Sequence, residues 1–249
     1  MKPIDFTPDE VNKRLVQEYT EIAKLAGGLA HEIKNPLSTI RLNMELLEED
    51  LDDLDETPQQ RRAIKKVDIV KKECLRLEEL LNEFLDFTRA HHLDMTAADT
   101  NKELREILEF LRPKAKESNV EIIEFFSADL PTIRIDKRYF HRAIVNLILN
   151  AIQAMPEGGE LMIRTRLCGN EVAIDFVDTG CGMDTETLQK IFEPFYSTKR
   201  RGSGLGLPTV RKIIEGHGGR IAIQSELGQG TQFTLTFPSL RRIPADSIS

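Results

Sequence analysis

A histidine inside a helical pattern, two asparagines one turn apart, an acidic turn and a glycine-rich loop are the features whose residue types and spacing suit chemistry. In Leu29-Ala30-His31-Glu32-Ile33-Lys34-Asn35-Pro36-Leu37, His31 falls outside the apolar stripe of its helix, so its imidazole is expected to face solvent. A zinc-protease reading of His31-Glu32 needs a second histidine one turn on, and Asn35 stands there instead. Four residues apart, His31 and Asn35 share a helix face, which lets the carboxamide position a water or a phosphoryl oxygen beside the ring. Pro36 removes an internal helix hydrogen bond at a cost of about 3 kcal/mol and is expected to bend the helix just beyond the histidine. Alone, His31 also fits a surface or core filler and Pro36 a tolerated kink; their joint presence shifts the weight toward function.

Asn146 and Asn150 lie four apart on a helix expected from Tyr139 to Met155, with Ile144, Leu147, Ile148 and Ala151 supplying the buried side. Two aligned carboxamides can offer oxygens to a hard cation such as Mg²⁺ bridging phosphates, while simple surface exposure explains them as well. In Val177-Asp178-Thr179-Gly180-Cys181-Gly182, an acidic residue leaves a strand into a Gly-x-Gly turn. Its carboxylate can accept the exocyclic amine of adenine and would refuse the carbonyl of guanine, although Asp-x-Gly turns are common in loops. Gly202-Ser203-Gly204-Leu205-Gly206-Leu207-Pro208 runs into a helix and leaves amides free for phosphate oxygens. It is neither a Walker A loop nor a Rossmann fingerprint. Before it, Phe192-Glu193-Pro194-Phe195-Tyr196-Ser197-Thr198-Lys199 offers aromatics that can anchor a lid and a lysine that can reach a phosphate; a hydrophobic patch with a solvated lysine is the other reading.

These residues need elements to position them. At 249 residues the chain has room for one or two domains, and two are taken. With 34 basic against 41 acidic residues the formal charge is -7, which argues against nucleic-acid binding. Cys74, Cys168 and Cys181 have no ligand-like spacing and suit a reducing compartment. The N-terminus lacks a signal-peptide pattern and no run reaches the roughly 18 apolar residues of a transmembrane span, so a cytoplasmic protein is expected.

From about Thr7 to Leu54, apolar residues at steps of three and four, Ile22 through Ile33, Leu37, Ile40, Leu47 and Leu54, predict one long helix. Thr57-Pro58 reads as cap and first turn of a second, whose stripe is Ile64, Val67, Val70, Cys74, Leu77, Leu81 and Phe84. Two such helices cannot bury their stripes against each other alone, and pairing into a dimeric four-helix bundle solves that; a monomeric hairpin packed on the second domain is the alternative. After a polar stretch at Thr96 to Thr100, the sequence predicts a helix over Asn101 to Leu111, strands over Glu121 to Phe126, Thr132 to Ile135, Glu160 to Leu167 and Val172 to Val177, a helix over Leu207 to Gly216, and strands over Arg220 to Gln224 and Gln232 to Phe237.

In this order and spacing the segments resemble two-component sensor histidine kinases, from about Ala23 to Phe237. His31 to Leu37 resembles the family's phosphoacceptor box, Asn146 to Ala151 its asparagine box, Asp178 to Gly182 and Gly202 to Gly206 its two glycine boxes, and Phe192 to Phe195 its phenylalanine box. Gly230-Thr231-Gln232-Phe233 matches a last turn near the adenine. The wording of the motifs looks most like the nitrogen-regulatory subgroup. The resemblance implies an α+β protein. Residues 1–95 would form a dimerisation and histidine-phosphotransfer hairpin, 96–240 a GHKL-type α/β sandwich binding ATP, and 241–249 a tail. It implies that His31 is the nucleophile and Glu32 its base or orienting group, and that Asn35 serves a reverse, regulator-dephosphorylating activity. Asp178, with Gly180, Gly182 and Thr231 around it, would hold adenine, Asn150 would hold Mg²⁺ with Asn146 supporting, and Lys199 with Gly202, Gly204, Leu205 and Gly206 would hold the phosphates. The implied partners are a second copy of the chain and a response-regulator receiver domain. Family members usually carry sensory segments before the bundle, so either an upstream sensor protein supplies the input or the chain is an excised core.

Overall fold

The computed structural model of the protein describes residues 33–49, 51, 57–88, 93–199 and 202–240. The chain divides into two units, Met1–His91 and His92–Ser249.

In the first unit, helix α1 runs over residues 33–49 and α2 over Pro58–Thr88. The start of α2 is a reciprocal capping box: the Gln60 amide donates to Thr57 Oγ1 (3.2 Å), and the Thr57 amide donates to Gln60 Oε1 (3.1 Å). Pro58 occupies the first helical position, where its missing N–H costs nothing. The helices are antiparallel, since Ser38 donates to Glu78 (3.3 Å) while Glu48, ten residues later, pairs with Lys71. Leu37, Val67 and Cys74 are buried between them, but Ile33, Ile40, Leu47, Val70 and Leu77 remain 38–49% exposed. The stripe is therefore only partly consumed inside one hairpin. The part of the long helix expected over residues 7–32 lies outside the described residues, and with it Glu32, the residue four before Pro36 on whose carbonyl the expected bend depends.

The second unit begins with β1 (Thr96–Ala98), α3 (Thr100–Glu117), β2 (Val120–Phe126), β3 (Ile133–Ile135) and α4 (Lys137–Ala154). It continues through β4 (Gly159–Cys168), β5 (Glu171–Asp178), α5 (Thr185–Lys190), α6 (Gly206–Gly216), β6 (Arg220–Glu226) and β7 (Gly230–Pro238). Five strands form a mixed sheet in the order β2-β4-β5-β7-β6, with β2 parallel to β4 and the other neighbours antiparallel. Alternation decides its buried face: Leu161 and Ile163, then Val172, Ile174 and Phe176, then Phe233, Leu235 and Phe237 all join one core. Helices α3, α4 and α6 cover that face through Leu104 and Leu108, Phe140, Ile144 and Ile148, and Val210 and Ile214. This is the two-layer α/β sandwich expected from the sequence.

Three departures have local causes. Helix α3 runs through Pro113 to Glu117 instead of stopping at Leu111. Leu111 and Ala115 are buried on its inner side, whereas Pro113 and Glu109, whose carbonyl loses its donor, are exposed to water. Strand β1, within a stretch read as polar linker, exists because Thr96 to Ala98 pair with Ile135 to Ile133. Short α5 is capped by Asp184, which accepts from the Thr187 amide (2.8 Å). Asp99 caps α3 in the same way, accepting from the amides of Asn101 (2.9 Å) and Lys102 (3.1 Å). Asp99→Ala should lower unfolding stability by about 1 kcal/mol. That would appear as a lower urea midpoint with unchanged slope, and an unmoved midpoint would remove the cap from this account.

A buried histidine aligns the two helices that carry the site. His217, just past α6, accepts the Asp136 amide at Nε2 (2.9 Å), and its Nδ1 lies 2.7 Å from the Ile213 carbonyl, which fixes the Nδ1–H tautomer. Asp136 in turn caps α4, so the end of α6 is pinned to the start of α4.

Candidate active site

Strand β5 delivers Asp178 on the same face as Val172, Ile174 and Phe176, so its carboxylate points into the protein and is only 5% exposed. Its Oδ1 accepts the amides of Gly180 (2.9 Å) and Thr231 (3.2 Å), while Oδ2 has no partner among the described residues. Burial pushes this carboxyl above its ordinary value, against the two amide donors that pull it down. The result is a half-satisfied buried acceptor, suited to a ligand N–H. The turn after it depends on Gly182: at φ +62° a Cβ there would lie 1.9 Å from the Glu226 carbonyl oxygen. Ser225 holds the hairpin opposite, accepting the Met183 amide (2.9 Å) and lying 2.9 Å from both the Gly230 carbonyl and Thr231 Oγ1. Thr231 thus faces the site through an amide bound to Asp178 and a hydroxyl bound to Ser225.

Helix α4 is the spine of the site. At its end, the Ala154 carbonyl accepts the Cys181 amide (3.0 Å), which seats the Asp178 turn. One turn back, Asn150 Oδ1 accepts from the Lys199 ammonium (2.8 Å), which also donates to Gln153 Oε1 (2.5 Å). One turn further, Asn146 Nδ2 donates to the Gly206 carbonyl (3.3 Å) at the start of α6. The acidic turn, the ammonium and the glycine loop are therefore arranged along one helix face over about 12 Å, at 1.5 Å per residue. Lys199 is an exposed residue, yet desolvation of its ammonium beside α4 lowers its hold on the proton.

The glycine loop is tied to the aromatic segment. The Phe195 amide donates to the Gly204 carbonyl (3.1 Å), and Gly204, at φ +71°, lies so close that a Cβ would sit 2.4 Å from the Phe195 carbonyl carbon. The Gly202 amide donates back to the Lys199 carbonyl (3.1 Å). Leu205 is buried and its amide donates to Ser203 Oγ (3.1 Å), so it contributes the shape of the loop through its backbone. As N-cap of α6 it makes no side-chain capping bond, which leaves the first-turn amides to a negatively charged ligand.

Of the residues singled out in the sequence, Asn146, Asn150, Asp178, Gly180, Gly182, Lys199, Gly202, Gly204, Leu205, Gly206 and Thr231 thus gather in the second unit. Asn35 is exposed on α1, its carbonyl accepting from Thr39 Oγ1 (3.0 Å). His31 and Glu32 lie outside the described residues. Sequence reasoning passed over Gln153, whose three-residue spacing from Asn150 was the available signal. Nothing in the sequence pointed to Ser225 or His217.

Residues 135–241 match the family described as histidine kinase-, DNA gyrase B- and HSP90-like ATPase, and residues 21–93 match the His Kinase A (phospho-acceptor) domain. The chain belongs to the two-component histidine kinases, as a core that joins a phospho-acceptor hairpin to an ATPase-type sandwich. Sensor histidine kinase ZraS of Escherichia coli (strain K12) is 32% identical over 230 residues, covering 92% of this chain and 48% of ZraS. The chain thus spans about half the length of that relative. Among solved structures, full-length ShkA in complex with AMPPNP superposes with a TM-score of 0.72 at 28% identity, over 87% of this chain and 46% of ShkA. Histidine kinase ThkA in complex with response regulator protein TrrA gives 0.65 at 26% identity, over 95% of this chain and 68% of ThkA.

Proposed function

We propose that this chain is an ATP-dependent protein-histidine kinase core that phosphorylates His31 and passes the phosphoryl group to an aspartate of a response regulator. The observation that carries the reading is the order along α4: a half-satisfied buried carboxylate, then an ammonium seated on carboxamides, then a helix N-terminus with open amides. That sequence of groups suits adenine at one end and a triphosphate at the other. Asp178 Oδ2 accepts the adenine amine, the loops through Gly180, Gly182 and Thr231 shape its slot, and Lys199 with Gly202 to Gly206 faces the phosphates.

A Mg²⁺ ion, when bound, supplies neutralisation of charge on the phosphate oxygens. Asn150 Oδ1 fits it, being an oxygen that already faces a cation, and Asn146 supports that turn of α4. In the reaction a ring nitrogen of neutral His31 bonds to the γ-phosphorus while the bond to the bridging oxygen breaks and ADP leaves. Glu32 orients the ring or takes its proton. With an unperturbed histidine pKa of about 6.5, most of the imidazole is neutral at pH 7. The lysine and loop amides provide positioning and charge, the larger part of phosphoryl-transfer catalysis.

The exposed stripe residues on α1 and α2 favour a homodimeric four-helix bundle, because a second hairpin would remove them from water. The regulator partner is favoured by the ThkA complex with its response regulator. No described helix is long and apolar enough to cross a membrane, and we place the chain in the cytoplasm, receiving its input through an upstream sensor protein or segment. The likeness to the nitrogen-regulatory subgroup rests on motif wording alone.

Incubation with labelled ATP and Mg²⁺ should give acid-labile label that passes to a cognate receiver domain. A chain that binds nucleotide yet never labels would contradict the reading. Asn35→Ala should leave labelling intact while dephosphorylation of the regulator slows, and equal loss of both would contradict a hydrolytic role for Asn35.

A further inference from the structure

We propose that Gln153 is a positioning residue that seats the Lys199 ammonium for phosphoryl transfer; the inference rests on the kinase reading above. Lys199 follows exposed Ser197 and Thr198, and its long stem does not itself fix the position of the charge. Its place comes from α4. Asn150 and Gln153 are three residues apart on that helix and share a face, and Lys199 Nζ bridges them at 2.8 Å to Asn150 Oδ1 and 2.5 Å to Gln153 Oε1.

An ammonium has three N–H donors, and two are used here. The third has no partner among the described residues, which leaves it for a phosphate oxygen. The two carboxamides are not equivalent. Asn150 Oδ1 is also the oxygen assigned to Mg²⁺, and a metal ion and an ammonium cannot both approach one oxygen closely without strong repulsion. When the metal takes Asn150, Gln153 Oε1 is the acceptor that remains, so the lysine stays beside the metal instead of swinging into solvent with its loop.

The amide is chemically suited to this part. It accepts from the ammonium without cancelling its charge, whereas a carboxylate at the same place would pair with the lysine and weaken its pull on phosphate. Partial desolvation of the ammonium, already visible in its lowered proton affinity, strengthens that pull on an anion arriving in the same site.

The test uses the whole chain and four proteins: wild type, Gln153→Ala, Gln153→Met and Lys199→Ala, plus the double variant Gln153→Ala/Lys199→Ala. Gln153→Ala should slow autophosphorylation at saturating Mg·ATP by roughly tenfold, the scale of one hydrogen bond to a charged group. Affinity for ADP without metal should stay within about twofold, since adenine is held elsewhere. Gln153→Met, similar in size but with no acceptor oxygen, should match the alanine variant. In the Lys199→Ala background, Gln153→Ala should cost nothing further, because a residue acting through another has no separate effect. Wild-type rates in either Gln153 variant, or losses that multiply in the double variant, would overturn the proposal alone. A wild-type chain without nucleotide affinity would overturn the kinase reading and this inference with it.

Discussion

Replacing His31 by Gln is expected to abolish acid-labile phosphorylation while leaving nucleotide affinity unchanged. Glutamine keeps size and polarity but its amide nitrogen has no available lone pair, so the bond to phosphorus cannot form. The adenine and phosphate contacts assigned above all come from the second unit, so the substitution should separate chemistry from binding. The chain has five histidines, and the structure bears on two of the others. His217 is buried with one ring nitrogen accepting the Asp136 amide and the other at the Ile213 carbonyl, which leaves no free nucleophile. His141 has its Nε2 held 2.9 Å from buried Glu103. Label that persists in His31→Gln at the wild-type rate would remove His31 from the mechanism.

Features set by local chemistry were legible in the sequence, and features set by distant pairing were not. Thr57-Pro58 marks the start of α2 because a cap and a first-turn proline act within four residues. Strand β5 and the turn that follows Asp178 were legible because an apolar run and a Gly-x-Gly turn are contiguous in the sequence. Strand β1 was missed because Thr96-Ala97-Ala98 has little strand character and pairs only once β3 lies beside it. Helix α3 outran its expected end because burial of Leu111 and Ala115 outweighs the proline rule.

The site divides along the same line. Glycines and asparagines in fixed spacing announced the loops and the helix face. What joins them did not show: the Cys181 amide on Ala154, the Asn146 carboxamide on Gly206 and the Lys199 ammonium on Gln153 each link residues 27 to 60 positions apart. Lys199 could be read from sequence as a phosphate ligand or as a solvated side chain. Only its contact with α4 favours the first.

Asp178→Asn is expected to weaken nucleotide binding and to stabilise the empty chain. The loss should be about 1.5 to 3 kcal/mol, or roughly 10- to 150-fold in affinity, because a charged acceptor for the adenine amine becomes a neutral group that can present N–H there instead. The same amide can donate to the guanine carbonyl, so the preference for ATP over GTP should narrow as well. The gain in stability follows from linkage. Burial raises the folded-state pKa of Asp178 above its unfolded value, so its favourable contribution is fully present below the unfolded pKa and is lost as pH rises through the folded one. At neutral pH the folded chain therefore carries a desolvated carboxylate at a net cost. Asparagine removes that charge, while its Oδ1 can still accept the Gly180 and Thr231 amides. Thermal melts without nucleotide should show the variant above wild type at pH 7, with the gap closing in acid, and titration with ATP should reverse the order because only wild type gains much from the ligand. Unchanged ATP affinity would displace the adenine assignment, and a variant less stable than wild type at pH 7 would mean that the second carboxylate oxygen is satisfied within the protein.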